Sequence, residues 1–334
     1  MVEKNKIAVI GGGSWATAIV KILSESADNK VKWWLRDPKD IAHLKEYHRN
    51  PSYLSDVYIS PKRVAVYSNI KEAVKGVNYI VLAIPSAFIE EPIKKGLTSK
   101  DFDGKRVISA IKGMIPQTKL LVTDWIAQEY GVPTENLGII GGPCHAEEVA
   151  QERQSYLTVA SAGAACAAEF SEILSCRYVI ANPLDDLLGV ELSAVMKNIV
   201  ALANGITHGL GYGDNFQAVL VSNALQEIQR FLDAVDPRAR NVNSSAYLGD
   251  LLVTSYSQFS RNRFFGNMIG RGYSVQTAQL EMKMIAEGYY AAKSIYDMNR
   301  EVGVFMPISD MVYHVLYDGA CPSQAVEVLK RQFK

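Results

Sequence analysis

Residues 7–23 read IAVIGGGSWATAIVKIL, two apolar runs separated by three glycines. Residues 7–10 are mostly β-branched, which suits a short strand covered on both faces. Ala16, Ile19, Val20 and Leu23 then recur at helical spacing, so the second run reads as a helix. Between the runs, Gly11, Gly13 and Ala16 satisfy G-x-G-x-x-A. Gly11 suits a tight turn, Gly13 lets main chain approach a pyrophosphate, and the small Ala16 lets helix and strand pack closely. The phosphates of a dinucleotide would rest on the helix N-terminus, where unpaired N–H groups and the helix dipole favour negative charge. The same residues also describe a plain glycine-rich turn. Their place after the first strand and at the opening of the first helix favours the dinucleotide.

The chain has 334 residues, enough for about two domains. Lys plus Arg and Asp plus Glu number 35 each, which leaves no basic excess for nucleic acid or an anionic membrane. Cys144, Cys166, Cys176 and Cys321 have neither metal-ligand nor compact disulfide spacing, so no metal is expected and a reducing cytoplasm is. The apolar run before the glycines is too short for a secretory signal. The most apolar long stretch, residues 187–206, contains Glu191, Lys197 and Asn198, and reads as a buried core helix rather than a membrane span.

Strand-like residues 7–10, 31–35, 79–84, 107–110 and 137–140 alternate with helix-like segments, predicting a doubly wound, mostly parallel α/β sheet over residues 1–184. Ligands of such sheets gather beyond the carboxyl ends of the strands. The positions of interest are therefore Gly11, Gly12, Gly13, Ser14, Trp15, Arg36, Pro85, Ser86, Lys112, Gly113 and residues 143–148. Beyond about Asp185, residues 187–206, 218–235, 248–257, 275–297 and 308–317 favour helix, predicting an all-α second half over 185–334. Asn182-Pro183 suits a short linker between the two, because a residue before proline is pushed out of the helical region.

Three clusters carry chemistry. The predicted second strand ends in Arg36, where arginine accommodates the 2′-phosphate of NADPH, while the neighbouring Asp37 leaves NADH open. A solvated Arg-Asp turn is the plainer reading. Lys197 and Asn198 sit in the apolar run LSAVMKNIV, where burial disfavours a charged amine and lowers its pKa toward proton transfer. The alternative is an ammonium that snorkels to solvent. Asp250 and Thr254 stand four apart on one helical face, followed by Ser260-Arg261-Asn262, whose forked cation and amide suit a phosphate. A capped helix and a basic loop would look the same.

Taken together, GGGSWATAI, WWLRDP, AIPS, IKGM, GGPCHAEE, VMKN, LGDLLVT, SRNRFFG, AEGYYAAK and GVFMPI occur in an order that resembles the NAD(P)-dependent glycerol-3-phosphate dehydrogenases of the bacterial biosynthetic type. The resemblance implies an N-terminal Rossmann domain and an all-α C-terminal domain of the 6-phosphogluconate dehydrogenase type. It implies reduction of dihydroxyacetone phosphate to sn-glycerol 3-phosphate for glycerophospholipid synthesis, and a homodimer. It makes Lys197 the proton-transferring lysine and Lys112 a second lysine shared by substrate and cofactor. Gly142, Cys144, Asn198, Asp250, Thr254, Ser260, Arg261 and Asn262 become substrate positions. Gly11, Gly13, Ser14, Trp15, Arg36, Pro85, Ala146, Arg261, Ile285 and Glu287 become cofactor positions, with Ile285 and Glu287 resting on the resemblance alone. The chain departs from the family where Cys144 replaces a hydroxyl residue and His145 an aromatic one; a thiol is the weaker donor.

Three rivals share some of these features. Another hydroxyacid dehydrogenase would share the glycine turn and the helical lysine. A methyltransferase would share the turn, but Arg36 and Lys197 speak against it. A non-catalytic dinucleotide sensor would bind NADPH without turnover.

Overall fold

The computed structural model describes residues 5–282 and 286–333. Two compact units emerge, one built from residues up to 111 and 120–187, the other from 112–119 and 188 onward. The first unit holds one eight-stranded sheet: β1 (Asn5–Ile10), β2 (Asn29–Trp34), β3 (Val64–Tyr67), β4 (Tyr79–Leu82), β5 (Arg106–Ser109), β6 (Leu137–Gly141), β7 (Ser155–Ser161) and β8 (Val179–Leu184). The strand order is β3-β2-β1-β4-β5-β6-β7-β8. Every neighbouring pair is parallel except β6 and β7.

Chain order reverses at β1, which pairs with β2 on one side and β4 on the other. A doubly wound sheet binds its ligand at such a switch point, and the glycine turn follows this strand. Ile7–Ile10 are fully buried, as a strand covered on both faces requires. Gly11 takes φ +140°, and a Cβ there would lie 2.3 Å from the Ala83 carbonyl oxygen, so only glycine makes the turn. From behind, the turn is held by the Trp33 indole N–H, which donates to Gly11 O at 2.6 Å, and by Asn50, whose amide donates to Gly12 O at 3.0 Å.

The expected strands correspond to β1, β2, β4, β5 and β6, while β3, β7 and β8 were not foreseen. The linker expected at Asn182-Pro183 is instead part of β8, where Pro183 lies opposite Val159. Because β8 is an edge strand, one row of its N–H groups has no sheet partner, and a proline that lacks an N–H is tolerated there.

The second unit is helical: Leu187–Gly209, Asp214–Val235, Asp250–Tyr256, Arg261–Gly270, Val275–Glu281, Glu287–Val302, Pro307–Tyr317 and Pro322–Lys330. The single helix expected over 275–297 is two, because Val275–Glu281 ends at an extended Met282. A π-helical turn, Ser245–Gly249, runs directly into the helix that starts with Asp250. Among the described residues, Leu187–Gly209 is the one helix long and apolar enough to cross a membrane, but 94% of its apolar window is buried in the fold.

That long helix meets Arg261–Gly270 backbone to backbone. Added Cβ atoms at Gly205 and Gly266 would come within 2.1 Å of Arg263 O and 2.2 Å of Leu202 O, and Gly209 and Gly270 are as tightly placed. Side chains near this crossing, Asn198 and Asn262 among them, are thereby brought within direct hydrogen-bonding reach.

Elsewhere in this unit, Glu227 is buried and caps the start of Pro307–Tyr317. Its Oε2 accepts the Ile308 N–H at 2.8 Å, and its Oε1 accepts the Ser309 N–H at 2.9 Å and the Ser309 hydroxyl at 2.7 Å. Burial pushes its pKa up to about 7 against the pull of these three donors, with Asp310 adding to the rise. The folded state thus holds a proton that the unfolded chain releases near pH 4.5. The sign follows: this stability is fully present below the unfolded value and is lost as pH rises through about 7. Melting curves should show the parent losing stability relative to Glu227→Gln between about pH 5 and 7, by up to about 3 kcal/mol. A constant difference between the two proteins across that window would place the folded pKa at its ordinary value.

Candidate active site

Lys197 lies in the middle of the long helix among Ala194, Val195, Met196, Ile199 and Val200, all buried. It is only 6% exposed, so the snorkelling alternative fails. Its ammonium donates to Asp250 Oδ1 and Thr254 Oγ1, each at 2.6 Å, using two of its three hydrogens. The Thr254 hydroxyl passes its own hydrogen to the Asp250 carbonyl oxygen at 2.7 Å, the four-residue spacing seen in the sequence. The other carboxylate oxygen, Asp250 Oδ2, accepts from Lys112 Nζ at 2.7 Å. One buried carboxylate therefore holds two lysines, one on each oxygen.

The electrostatics follow from this count. Burial pushes the Asp250 pKa up, but the ammonium groups of Lys112 and Lys197 overcome it and hold the carboxyl below its ordinary range. Burial pushes Lys197 down to about 8; Asp250 resists this and the second cation, Lys112, adds to it. With both lysines charged, the cluster carries one net positive charge around a buried carboxylate. Such a site favours an arriving oxygen that gains negative charge.

Two buried amides flank the lysines. Asn198 Nδ2 donates to Lys112 O at 2.7 Å and Ala194 O at 3.3 Å. Asn262 Nδ2 donates to Asn198 Oδ1 at 2.9 Å, and Asn262 Oδ1 accepts the Gly288 N–H at 2.9 Å. Ser260 caps the helix that Arg261 and Asn262 begin, its hydroxyl accepting the Arg263 N–H at 3.3 Å.

In the first unit, the helix Ser14–Leu23 starts at Gly13 with no side-chain cap, and a Cβ on Gly13 would meet nothing within 4 Å. An uncapped helix start beneath open space, on a chain turn that only glycine can make, fits a pyrophosphate. Trp15 packs against the core, and its buried indole N–H has no partner among the described residues.

Comparison with known proteins agrees with this geometry. Residues 6–168 match the N-terminal family of NAD-dependent glycerol-3-phosphate dehydrogenase, and residues 186–327 match its C-terminal family. This chain belongs to the NAD-dependent glycerol-3-phosphate dehydrogenase family. It is 35% identical over 327 residues to the glycerol-3-phosphate dehydrogenase [NAD(P)+] of an Exiguobacterium species, covering 98% of this chain and 95% of that protein. The Clostridium botulinum enzyme of the same name is 36% identical, covering 97% of each. The crystal structure of glycerol-3-phosphate dehydrogenase from Coxiella burnetii superposes with a TM-score of 0.90 at 29% identity, covering 98% of each chain.

As a member of the glycerol-3-phosphate dehydrogenase family, the chain gathers Lys112, Lys197, Asn198, Asp250, Thr254 and Asn262 into one bonded cluster, with Ser260 and Arg261 beside Asn262 in sequence. In the first unit, Arg36 is exposed just beyond β2, Pro85 is exposed at the turn after β4, and Ala146 is buried at the start of Ala146–Ala150. Gly142 takes φ +94° just beyond β6, and Cys144 is half-buried beside the His145 carbonyl. Glu287 opens the helix Glu287–Val302, and Ile285 lies outside the described residues. Sequence reasoning passed over Gly288, whose N–H completes the amide chain. Its signal was a glycine in the first turn of a helix, within the quoted AEGYYAAK.

Asp37 spends its carboxylate on the Lys39 N–H at 2.8 Å, capping the helix Pro38–Tyr47. That leaves Arg36 as the residue at this strand end available to choose between dinucleotides. Arg36→Asp should weaken NADPH relative to NADH by about tenfold or more, the scale of a lost charge-assisted contact. Equal weakening of both cofactors in a fluorescence titration would make Arg36 structural.

Proposed function

We propose that Lys197, Lys112 and Asp250 carry the reaction of this NAD(P)-dependent oxidoreductase, the reduction of dihydroxyacetone phosphate to sn-glycerol 3-phosphate that feeds glycerophospholipid synthesis. The observation behind this assignment is the buried Asp250 carboxylate with a lysine on each oxygen. The bound reduced nicotinamide supplies the hydride. The protein orients the ketone and manages charge on its oxygen. As that oxygen becomes an alkoxide, Lys197 delivers a proton to it and Lys112 stabilises it as a hydrogen-bond donor. Asp250 keeps both ammonium groups aimed, and Thr254 fixes the direction of the Lys197 bonds.

Arg261 grips the substrate phosphate, with Ser260 and Asn262 beside it, and Gly142 and Cys144 complete the substrate contacts. An unphosphorylated ketone leaves Arg261 without its anion, which is the basis of discrimination. Gly11, Gly13, Ser14, Trp15, Arg36, Pro85 and Ala146 hold the dinucleotide, joined by Lys112, Arg261, Ile285 and Glu287. Arg36 selects NADPH, with NADH accepted less well. Residues 1–184, apart from 112–119, serve as the dinucleotide-binding domain, and 185–334 with that segment as the substrate domain. The enzyme works as a homodimer in the cytoplasm.

Lys197→Met keeps an unbranched apolar filler in place of the lysine. NADPH oxidation with dihydroxyacetone phosphate should drop by roughly 10²-fold or more, while NADPH binding and the melting temperature stay near the parent's. A folded variant within about threefold of the parent would move the proton to Lys112.

The pH profile tests the same assignment. The reduction needs protonated Lys197, so turnover should fall as pH rises through about 8. Asp250→Asn removes the charge that holds the ammonium and should move this fall to lower pH. Arg261→Ala should raise KM for dihydroxyacetone phosphate and also lower kcat, because remote phosphate binding is realised in the transition state. Unchanged kinetics would assign Arg261 to a solvated helix start.

A further inference from the structure

The two asparagines form a chain with a direction. At one end, the Gly288 N–H can only donate; at the other, the Lys112 carbonyl can only accept. These ends fix the orientation of both amides between them, so donation runs from Gly288 to Asn262, to Asn198, to Lys112. Both hydrogens of Asn198 Nδ2 are engaged by main-chain oxygens of Lys112 and Ala194, and its Oδ1 is engaged by Asn262. The seat of the chain is as constrained as its ends. A Cβ on Gly288 would lie 2.6 Å from Asn198 O and 2.9 Å from Asn262 Oδ1, so this approach of the helix Glu287–Val302 requires glycine.

At the far end of the segment 112–119, Lys119 pairs with Asp297 Oδ2 at 2.8 Å, but Lys119 is half-exposed, and ion pairs of that kind contribute little. The part-buried bond to Lys112 O is the stronger tie, since it is short and an acceptor shielded from water loses more when its bond is left unmade.

We propose that Asn262 and Asn198, seated on Gly288, are positioning residues that hold the Lys112 main chain so that its ammonium meets Asp250 and, through it, the reacting carbonyl. This rests on the function proposed above and deepens it. Asn198 acts on the reaction through Lys112, and Asn262 adds this task to any contact with phosphate.

A double-mutant cycle tests the relay on the full-length enzyme. Asn198→Leu and Asn262→Leu should each lower kcat by roughly 10- to 100-fold, the scale of a slightly misplaced catalytic group. KM for dihydroxyacetone phosphate in Asn198→Leu should stay within about threefold of the parent, the mark of an interaction made in the transition state alone. The double variant should lose no more kcat than the worse single one, because both break one chain. Additive losses in kcat, or an Asn198→Leu effect confined to KM, would overturn the proposal. Acylation by an amine reagent, followed peptide by peptide by mass spectrometry, reads the position of Lys112 without turnover. Lys112 should react several-fold faster in Asn198→Leu and Gly288→Ala than in the parent, normalised to the exposed Lys45. Unchanged Lys112 labelling in a variant shown folded by circular dichroism also overturns it. If Gly288→Ala does not fold, the two asparagine variants decide alone. A parent that fails to oxidise NADPH with dihydroxyacetone phosphate sinks the proposed function, while the labelling still decides the relay.

Discussion

A carboxylate that is 1% exposed cannot remain ionised without cations, and the second unit is built around supplying them to Asp250. The cations come from two distant parts of the chain, and the carboxylate from a third. Lys197 is delivered by the long helix, Lys112 by the segment 112–119, and Asp250 by a helix entered through a π-helical turn. Neither lysine is buried without a partner, and the carboxylate is not left to neutralise itself by protonation. The same arrangement leaves a surplus of one positive charge, which turns a structural necessity into a reactive one.

The first unit answers a different physical demand, that of bringing main chain close to phosphate. Gly11 makes the turn, Gly13 keeps the space above the helix start open, and Trp33 and Asn50 brace the loop from behind. Side chains that are usually read as ligand contacts divide here by where their hydrogen bonds go. Asp37 is committed to a helix start, whereas Arg36 stands exposed one residue earlier.

What the sequence disclosed was whatever depends on near neighbours. The glycine turn, the lysine within an apolar helix and the four-residue step from Asp250 to Thr254 are all local spacings, and the structure has them where the spacing put them. Strand β8 was hidden because VIANPL carries a proline, whereas β3 is no shorter than β4 and β5, and β7 follows the helix Ala146–Ala150 in unbroken alternation, so neither length nor order accounts for their being passed over. The commitment of one Asn198 hydrogen was equally invisible, since its acceptor, Lys112 O, is 86 positions away. So was the demand for glycine at 288, which exists only because another helix's main chain lies against it. The lysine–carboxylate pairing was half legible: the residue types were marked, but nothing in one dimension shows that Lys112 shares the carboxylate with Lys197.

The edge strand β8 has a consequence for self-association. An open sheet edge is a template on which another copy's strand can add, and proteins blunt such edges chemically. With Pro183 in register opposite Val159, this edge lacks one donor of the row a new strand would need, and a ring occupies the position where it would have stood. Sheet-to-sheet extension through β8 is therefore disfavoured from the outset. Of the two edges of the sheet, β8 is thus the one closed to strand addition, and β3, which has no proline, is the one left open to it.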